Sequence, residues 1–421
     1  MNALRLALIG LAACSAPLFA QSYPSKPVRM IVAVAAGVAI NPSLYREKDL
    51  IALAKARGGQ LAFASAGSGT SGHLALELFK SSAAIDVVHV PYKGEGTHSH
   101  KVRVHGDIMI TNREVLGAHA LHGETPPEGY KGGLSIYDVS KPSKPRLITN
   151  WERTDKAGAR YARGVRRFDF DGRYAYISPT MDGYLGNIMM ILDLKDPARP
   201  QEVGRWWMPG QWTAGGEEPT WKGDAHKCHH PLRYGNRLYT SYWQGGFVIP
   251  DIDDLSKPAF VSGLHWSPPF PWPTHTALRT PFKIANRDFL LVTDEDVFRQ
   301  EDYPKYPAAF LWMVDVTDEK HPQPISTFQV EGMPDTPQPR MTGCHQPCEK
   351  VTGTEIPVAW FAHGLRIIDI SKPHALKEVA YFMPDVPQGS ERVQSNDVTV
   401  DARGLIYLLD RVRGLHILER T

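Results

Sequence analysis

Apolar and polar positions alternate in short bursts along most of the chain, and the bursts end alike. Six near-copies of one motif carry the pattern: GGLSIYDVSKPSKP (Gly132–Pro145), IMMILDLKDPARP (Ile188–Pro200), GGFVIPDIDDLSKP (Gly245–Pro258), LWMVDVTDEKHPQP (Leu311–Pro324), HGLRIIDISKP (His363–Pro373) and the shorter RGLHILE (Arg413–Glu419). Each reads as a strand of period two, then usually an Asp, then a turn of Ser, Asp or Pro. The Asp falls at 138, 193, 251, 315 and 369, in steps of 55, 58, 64 and 54 residues. Self-similarity at a near-fixed step marks a repeat architecture. Four short strands per step, with Pro/Gly turns and no helical spacing between them, predict the blade of a β-propeller. The expected fold is mainly β, a six-bladed or, with one degenerate blade, seven-bladed propeller behind a small N-terminal α/β fragment.

The first strand of each unit lines the central channel of such a fold, so equivalent positions of successive units converge on one axis. Laid out from their first strands, the units open with SHKVRVHGDIMITNRE, ARGVRRFDFDGRYAYIS, CHHPLRYGNRLYTSYW, THTALRTPFKIANRDFLLVTD, GCHQPCEKV and SNDVTVDARGLIYLLD. One polar residue recurs at the head of that strand: His100, Arg163, His229 or His230, His275, His345 and Asn396. Strand alternation sends His229 and His230 to opposite sides, and the sequence alone does not choose between them. Imidazoles meeting at one point suit a transition metal such as copper, zinc or iron. The same ring, helped by Arg163 and Asn396, can instead take an anionic small molecule or form a structural polar network. Asp224, Asp294, Glu295 and Asp296 are the carboxylates best placed for acid–base work. The five repeated Asp residues read as turn-formers whose side chains bond the local backbone. Trp206, Trp207, Trp212 and Trp243 read as packing between blades, and His119, His122, His265, His321 and His374 as loop or surface residues.

Composition narrows the partners. With 47 basic and 45 acidic side chains the net charge is +2, and no basic block points to nucleic acid. Residues 1–20 read as a signal peptide: Arg5, an apolar run from Leu6 to Phe19, and the small Ala20 ahead of cleavage. LAAC at Leu11–Cys14 offers lipoprotein processing as the alternative. No later stretch reaches the roughly 18 apolar residues of a membrane span. Cleavage removes Cys14 and leaves Cys228, Cys344 and Cys348. Cys344 and Cys348 are spaced to brace a loop as a disulfide; with His345 between them and Cys228 in HKCHH, a metal role competes.

Residues 21–96 have a different texture, a helix–strand–loop–helix–strand pattern rather than short alternating strands. YPSKPVRMIV, NPSLY at Asn41–Tyr45, SAGSGTSGHL at Ser65–Leu74 and VVHVPYKG at Val87–Gly94 resemble the Bug-type solute receptors of tripartite tricarboxylate transporters. The resemblance implies a periplasmic location and a carboxylate held by Ser65, Ser68, Thr70 and the backbone N–H groups opening the next helix. GVAIN stands where such receptors carry a Gly-Gly-x-x-Asp element, and residues 97–421 do not continue the receptor pattern. Those later residues, with their LxIxD core and following Ser-Lys-Pro, resemble LVIVD-repeat proteins and, more distantly, selenium-binding and methanethiol-oxidase propellers.

The expectation is therefore an exported, periplasmic or secreted propeller acting as a ligand- or metal-binding or scaffold module, with room for a periplasmic protein partner. Two alternatives stand beside it: a metal-dependent oxidoreductase with its site at the His ring, and a carboxylate-binding receptor of a tripartite transporter. Whether the protein is an enzyme stays open at this point.

Overall fold

The computed structural model describes residues 55, 62–65, 84, 88–91, 99, 101–115, 132–141, 145–153, 163–221, 226–297, 307–331, 341–386 and 389–420. The expected signal peptide, His100, His119, His122, Ser68, Thr70 and Asp224 lie outside them, as do the side chains of Ser65 and Arg163. Upstream of residue 99, Ala62–Ser65 pairs in parallel with Val88–Pro91.

The described chain from residue 99 onward is almost entirely antiparallel sheet, in sheets of eight, eight, four and three strands. Each eight-stranded sheet divides at a short contact, Glu114–Val115 with Arg163–Gly164 and Trp243 with Thr274, into two four-strand units. Unit one comprises Val102–His105, Ile108–Val115, Gly132–Asp138 and Arg146–Arg153. Unit two comprises Arg163–Phe170, Tyr174–Pro179, Met189–Asp193 and Gln201–Trp206. Unit three comprises His226–Tyr234, Arg237–Trp243, Phe247–Asp251 and Ala259–Leu264. Unit four comprises Thr274–Arg279, Phe289–Asp294, Leu311–Asp315 and Gln323–Phe328. Unit five comprises the two-residue Gln346–Pro347, Glu355–Ala359, Leu365–Asp369 and Lys377–Phe382. Unit six has three strands, Ser395–Val400, Ile406–Asp410 and Gly414–Leu418. The curled sheets resemble propeller blades.

Burial follows strand position within a unit. Second and third strands such as Phe289–Asp294 and Leu311–Asp315 are buried on both faces, which explains their near-continuous apolar runs. Fourth strands such as Gln323–Phe328 and Lys377–Phe382 are half-exposed and mixed in character. The core lies between neighbouring units. Ile110, Leu134, Val165 and Phe168 join units one and two; Tyr176, Met189, Cys228 and Leu238 join units two and three. Cys348, Leu365, Val398 and Ile406 join units five and six.

Turn chemistry is uniform. The Asp138, Asp193, Asp251, Asp315 and Asp369 carboxylates each accept the backbone N–H two residues on, at 2.7–2.9 Å. That local bond lets the chain reverse without a partner strand. Gly246 and Gly364 precede third strands with φ of 71° and 72°; a Cβ there would lie 2.0 and 2.2 Å from the carbonyl oxygens of Leu264 and Phe382. Only glycine lets the fourth strand close against the third at these points.

Neighbouring units are also joined by one repeated polar contact. The hydroxyls of Ser241 and Thr293, each on a second strand, donate to the carbonyls of His275 and His345 in the next unit, both at 2.7 Å. The Ser178 hydroxyl lies 3.0 Å from the His229 carbonyl while also 2.8 Å from that of Arg167. All three hydroxyl-bearing residues are fully buried. Thr293→Val keeps the shape and removes the donor, leaving the His345 carbonyl buried and unpaired. The expected cost is about 1–3 kcal/mol, measured as a lowered urea midpoint at unchanged slope; an unchanged midpoint would show the contact contributes nothing.

Candidate functional site: a buried His–Glu cluster

The heads of the first strands are where regular pairing breaks. The register slips between Val165 and Phe168, between His226 and His230, between Thr274 and Thr276, and between Ser395 and Asp397. A β-bulge at each place turns a side chain out of the alternation. The residues inside these bulges include Arg166, Arg167, His229, His275 and Asn396. Residues that simple alternation would point away from one another are thereby aimed at a common centre.

Three histidines from units three, four and five meet there. Ring centroids of His229 and His275 are 4.5 Å apart, and those of His275 and His345 are 4.0 Å apart. All three are at most 2% exposed. Glu295, one residue beyond the second strand of unit four and 2% exposed, joins them. Its Oε2 lies 3.5 Å from His345 Nε2. Among the described residues, His229, His275 and Glu295 offer ligand atoms that all lie within 4.8 Å of one another.

Hydrogen bonds set the tautomers. His229 Nδ1 lies 2.8 Å from the His275 carbonyl oxygen, and His345 Nδ1 lies 2.6 Å from the Asn396 carbonyl oxygen. A carbonyl only accepts, so both Nδ1 atoms carry the proton. His275 Nδ1 lies 2.9 Å from Thr276 Oγ1, whose own proton goes on to Gln346 Oε1 at 3.3 Å. Thr276 therefore accepts from His275 as well. Each neutral ring is left with its lone pair on Nε2, and His229 Nε2 has no hydrogen-bond partner among the described residues. Fixing Nδ1–H on a protein oxygen is how metal-binding imidazoles are oriented.

Electrostatics keep these rings neutral. Burial, then the charges of Arg166 and Arg167, hold His229 well below the ordinary imidazole range. Burial, then His345 and Arg167, do the same for His275. Burial lowers His345 although Glu295 pulls the other way. Burial pushes Glu295 up, but His345 and the guanidiniums of Arg166 and Arg167 outweigh it and leave the carboxyl below its usual value. His345 Nε2 and Glu295 Oε2 therefore share one bridging position: a proton on Nε2 fills it when the ring is charged, and a cation fills it when the ring is neutral. Metal bonds of about 2.1 Å to both atoms would subtend roughly 115°, close to the tetrahedral angle. His229 and His275 have further to travel, since bonded ligand atoms lie about 3.4 Å apart in such a site. His229, His275 and Glu295 form a plausible metal-coordinating cluster, consistent with a transition-metal cofactor.

Other sequence candidates sit elsewhere. His230 is fully buried with its Nε2 3.6 Å from Glu349 Oε1, in a second polar layer with Lys101, Arg103 and Gln346. Lys101 and Arg103 of unit one pair with Glu349 of unit five, so this layer ties units far apart in sequence. In unit two the place of His229 is taken by Arg166, three residues past Arg163. Arg167 N–H donates to Ser178 Oγ just as His230 N–H donates to Ser241 Oγ, which fixes the equivalence. Asn396 contributes its carbonyl to His345. Asp294 accepts from Trp312 Nε1, Thr274 Oγ1 and Trp266 Nε1 at 2.7, 2.8 and 3.0 Å, and Asp296 accepts from the Thr342 and Gly343 amides at 3.0–3.1 Å. Both are structural pegs, pushed up to about 7 by burial. Cys344 and Cys348 are buried free thiols, as is Cys228, so the expected loop-bracing disulfide is absent. Trp243, expected only to pack, lies 6.3 Å from His229 and under Lys227 Nζ at 3.6 Å. Arg166, Arg167, Glu349, Lys227 and Arg411 were not signalled by the repeat. The pair Arg166-Arg167 became findable only once the bulge offset in unit two was known.

Comparisons with known proteins agree with a chain of two parts. The family model "Tripartite tricarboxylate transporter family receptor" matches residues 26–123, running past residue 97 through the first two strands of unit one. The LVIVD repeat model matches residues 129–152, 233–264 and 356–383. The chain is 41% identical over 68 residues to the "UPF0065 protein in tcbD-tcbE intergenic region" of Pseudomonas sp. (strain P51), covering 15% of this chain and 20% of that relative. Among solved structures it is similar to Chaetomium thermophilum Raptor (12% identity, TM-score 0.46, 78% of this chain and 24% of that one). It is also similar to the Myceliophteria thermophila Cps50 (Swd1) β-propeller domain (14%, 0.43, 76% and 86%). A third is the Pseudomonas aeruginosa periplasmic gluconolactonase PpgL (12%, 0.46, 74% and 83%). With TM-scores under 0.5 these likenesses carry no argument about activity. The likeness is to propellers in general, and not specifically to selenium-binding or methanethiol-oxidase proteins. Among the described residues no helix is long and apolar enough to cross a membrane.

The neutral state of His275 has a consequence for stability. An unfolded chain protonates this imidazole below about pH 6.5, whereas the folded chain keeps it neutral to lower pH. The unfolded state then binds more protons, so the stability this residue contributes is lost as pH falls through that value. In metal-free protein, wild type should lose stability relative to His275→Asn between about pH 7.5 and 5.5, read from urea midpoints. A difference constant over that range would show that the ring titrates normally.

Proposed function

We propose that the chain is an exported β-propeller of six blades whose central polar layer holds one transition-metal ion on His229, His275, His345 and Glu295. The observation that carries the reading is the convergence of ligand atoms from His229, His275 and Glu295 within 4.8 Å of one another, with His345 Nε2 3.5 Å from the same carboxylate. Three imidazoles and one carboxylate suit zinc, copper or iron. The receptor-family match is consistent with a periplasmic or secreted location, and the apolar run from Leu6 to Phe19 ahead of Ala20 is what suggests cleavage after Ala20. On this reading residues 21–96 form a receptor-like unit with Ser65, Ser68 and Thr70 as a carboxylate-binding loop, while the family match itself runs on to residue 123. The polar pairs of Glu349 with Lys101 and Arg103 support closure of the blades around one axis. On this reading the propeller is a binding module whose metal centre stands on three different blades, so that metal and blade closure support each other.

Metal analysis of the exported protein purified without chelator is expected to give about one zinc, copper or iron per chain. Glu295→Gln and His275→Ala should each lower affinity at least tenfold, and metal should raise the thermal midpoint of wild type but not of His275→Ala. Protein that stays metal-free after incubation with all three ions, or equal metal in wild type and variants, overturns the reading.

A further inference from the structure

Three guanidiniums, those of Arg166, Arg167 and Arg411, stand around the buried cluster, with the carboxylates of Glu295, Glu114, Asp397 and Asp410 near one or another of them. Arg166 Nη1 lies 3.2 Å from Glu114 Oε1 and its Nη2 lies 3.9 Å from Glu295 Oε1. The Nε atoms of Arg166 and Arg167 are both buried and have no hydrogen-bond partner among the described residues. Arg167 itself is 2% exposed, and its Nη1 donates to the neutral Gln346 Oε1 at 2.9 Å. Arg411 lies over the Phe361 ring at 5.6 Å, and its polar contact is the weak acceptor Met341 Sδ at 3.3 Å. Phe361 in turn lies 4.3 Å from His345. Guanidinium groups are costly to bury and normally end on oxygen acceptors. Here two donor atoms, the Nε of Arg166 and the Nε of Arg167, find none among the described residues beside the His–Glu cluster.

We infer that the cluster binds a small oxyanion, a carboxylate or a tetrahedral oxyanion, between the His–Glu centre and the guanidiniums of Arg166, Arg167 and Arg411. A planar guanidinium matches two oxygens of one such group, and burial excludes the water that would otherwise screen the charges. A metal on His229, His275, His345 and Glu295 would add positive charge and an open position for one of the anion's oxygens. The inference rests on the metal reading for that last contact alone, because the guanidiniums stand whether or not metal is bound. Glu295 and Glu114 limit the occupant to a small one: they hold Arg166 in place and would repel an anion that reached past it. Trp243 lies 6.3 Å from His229 and Phe361 4.3 Å from His345, which gives the site apolar neighbours beside the guanidiniums.

The test measures malonate and inorganic phosphate by calorimetry on zinc-loaded and on metal-free protein, with metal content read on the same samples. Binding of at least one probe, weakened tenfold or more in Arg411→Gln at unchanged zinc content and partly restored in Arg411→Lys, supports the inference. Binding of malonate alone, or of phosphate alone, supports it and tells planar from tetrahedral occupants. Arginine-dependent binding to protein that never takes up metal supports the anion site and sinks the metal reading. Zinc-loaded protein that binds neither probe overturns the inference while leaving the metal reading intact. Binding that is equal in wild type and Arg411→Gln overturns it too. If Arg411→Gln does not fold, Arg411→Lys and Arg166→Lys supply the comparison, and affinity unchanged in both is again contrary.

Discussion

Everything at the centre of this fold depends on how each unit fixes the backbone at the head of the next. A bulge is a weak point in a sheet, because one residue loses its place in the ladder. At His229 and His275 the loss is made good from the preceding unit, by a buried hydroxyl that lies on the histidine's own carbonyl, and His345, outside any bulge, has the same contact. Ser178, Ser241 and Thr293 occupy matching places on second strands. The side chains are then free to point inward, since the main chain is held from behind. The His275 carbonyl takes both the Ser241 hydroxyl and the His229 ring, so the clamp and the cluster share one atom. A change in packing between two units would move the next histidine with it.

That coupling explains why the cluster tolerates so much burial. Three imidazoles, a carboxylate and two guanidiniums in one dry place would be unfavourable if any of them could choose its partner. Here the Nδ1 atoms are committed to fixed oxygens, the rings stay neutral, and Glu295 keeps its charge because cations surround it. The polar layer below follows the same logic with other residues. Glu349 is held far below the usual carboxylate range, against its burial, by Arg103 and Lys101. Lys101, buried and beside Arg103, is pushed down to about 8. Charges that would each be intolerable alone are acceptable as a closed set whose members come from different units.

The sequence made part of this legible. The repeated strand–Asp–Pro motif is local chemistry, so the strands, the Asp turns and the unit boundaries could be read directly. His229, His275 and His345 could be found because the repeat multiplies one position. In unit two alternation alone points to Arg163, whereas the Ser178 contact makes Arg166 the counterpart of His229, because a bulge shifts the inward-facing position by a residue count that alternation cannot reveal. His229 and His230 were inseparable from sequence for the same reason. Glu349 and Arg411 carry no signal at all, since they meet the centre only through contacts between units distant along the chain. Trp243 looked like packing because an indole in a β unit generally is, and its place beside His229 follows from the bulge opposite it.

The run Asp294-Glu295-Asp296 shows how far environment can separate like residues. The outer two are pinned. Three donors from Trp266, Thr274 and Trp312 close on Asp294, and the amides of Thr342 and Gly343 close on Asp296. Burial still raises both to about 7, so near neutral pH each can shed its charge without losing its place. Glu295 between them is drawn the other way by cations and keeps its charge. Were all three charged, their mutual repulsion would tend to splay the segment after the strand; with the outer two able to become neutral, the middle one can be held rigidly inside. Asp296 also anchors the loop that leads directly into Cys344 and His345, so the carboxylate and the third imidazole of the cluster are set by one peg. The spacing between Glu295 and His345 is therefore a property of the scaffold, fixed before any ion or anion arrives.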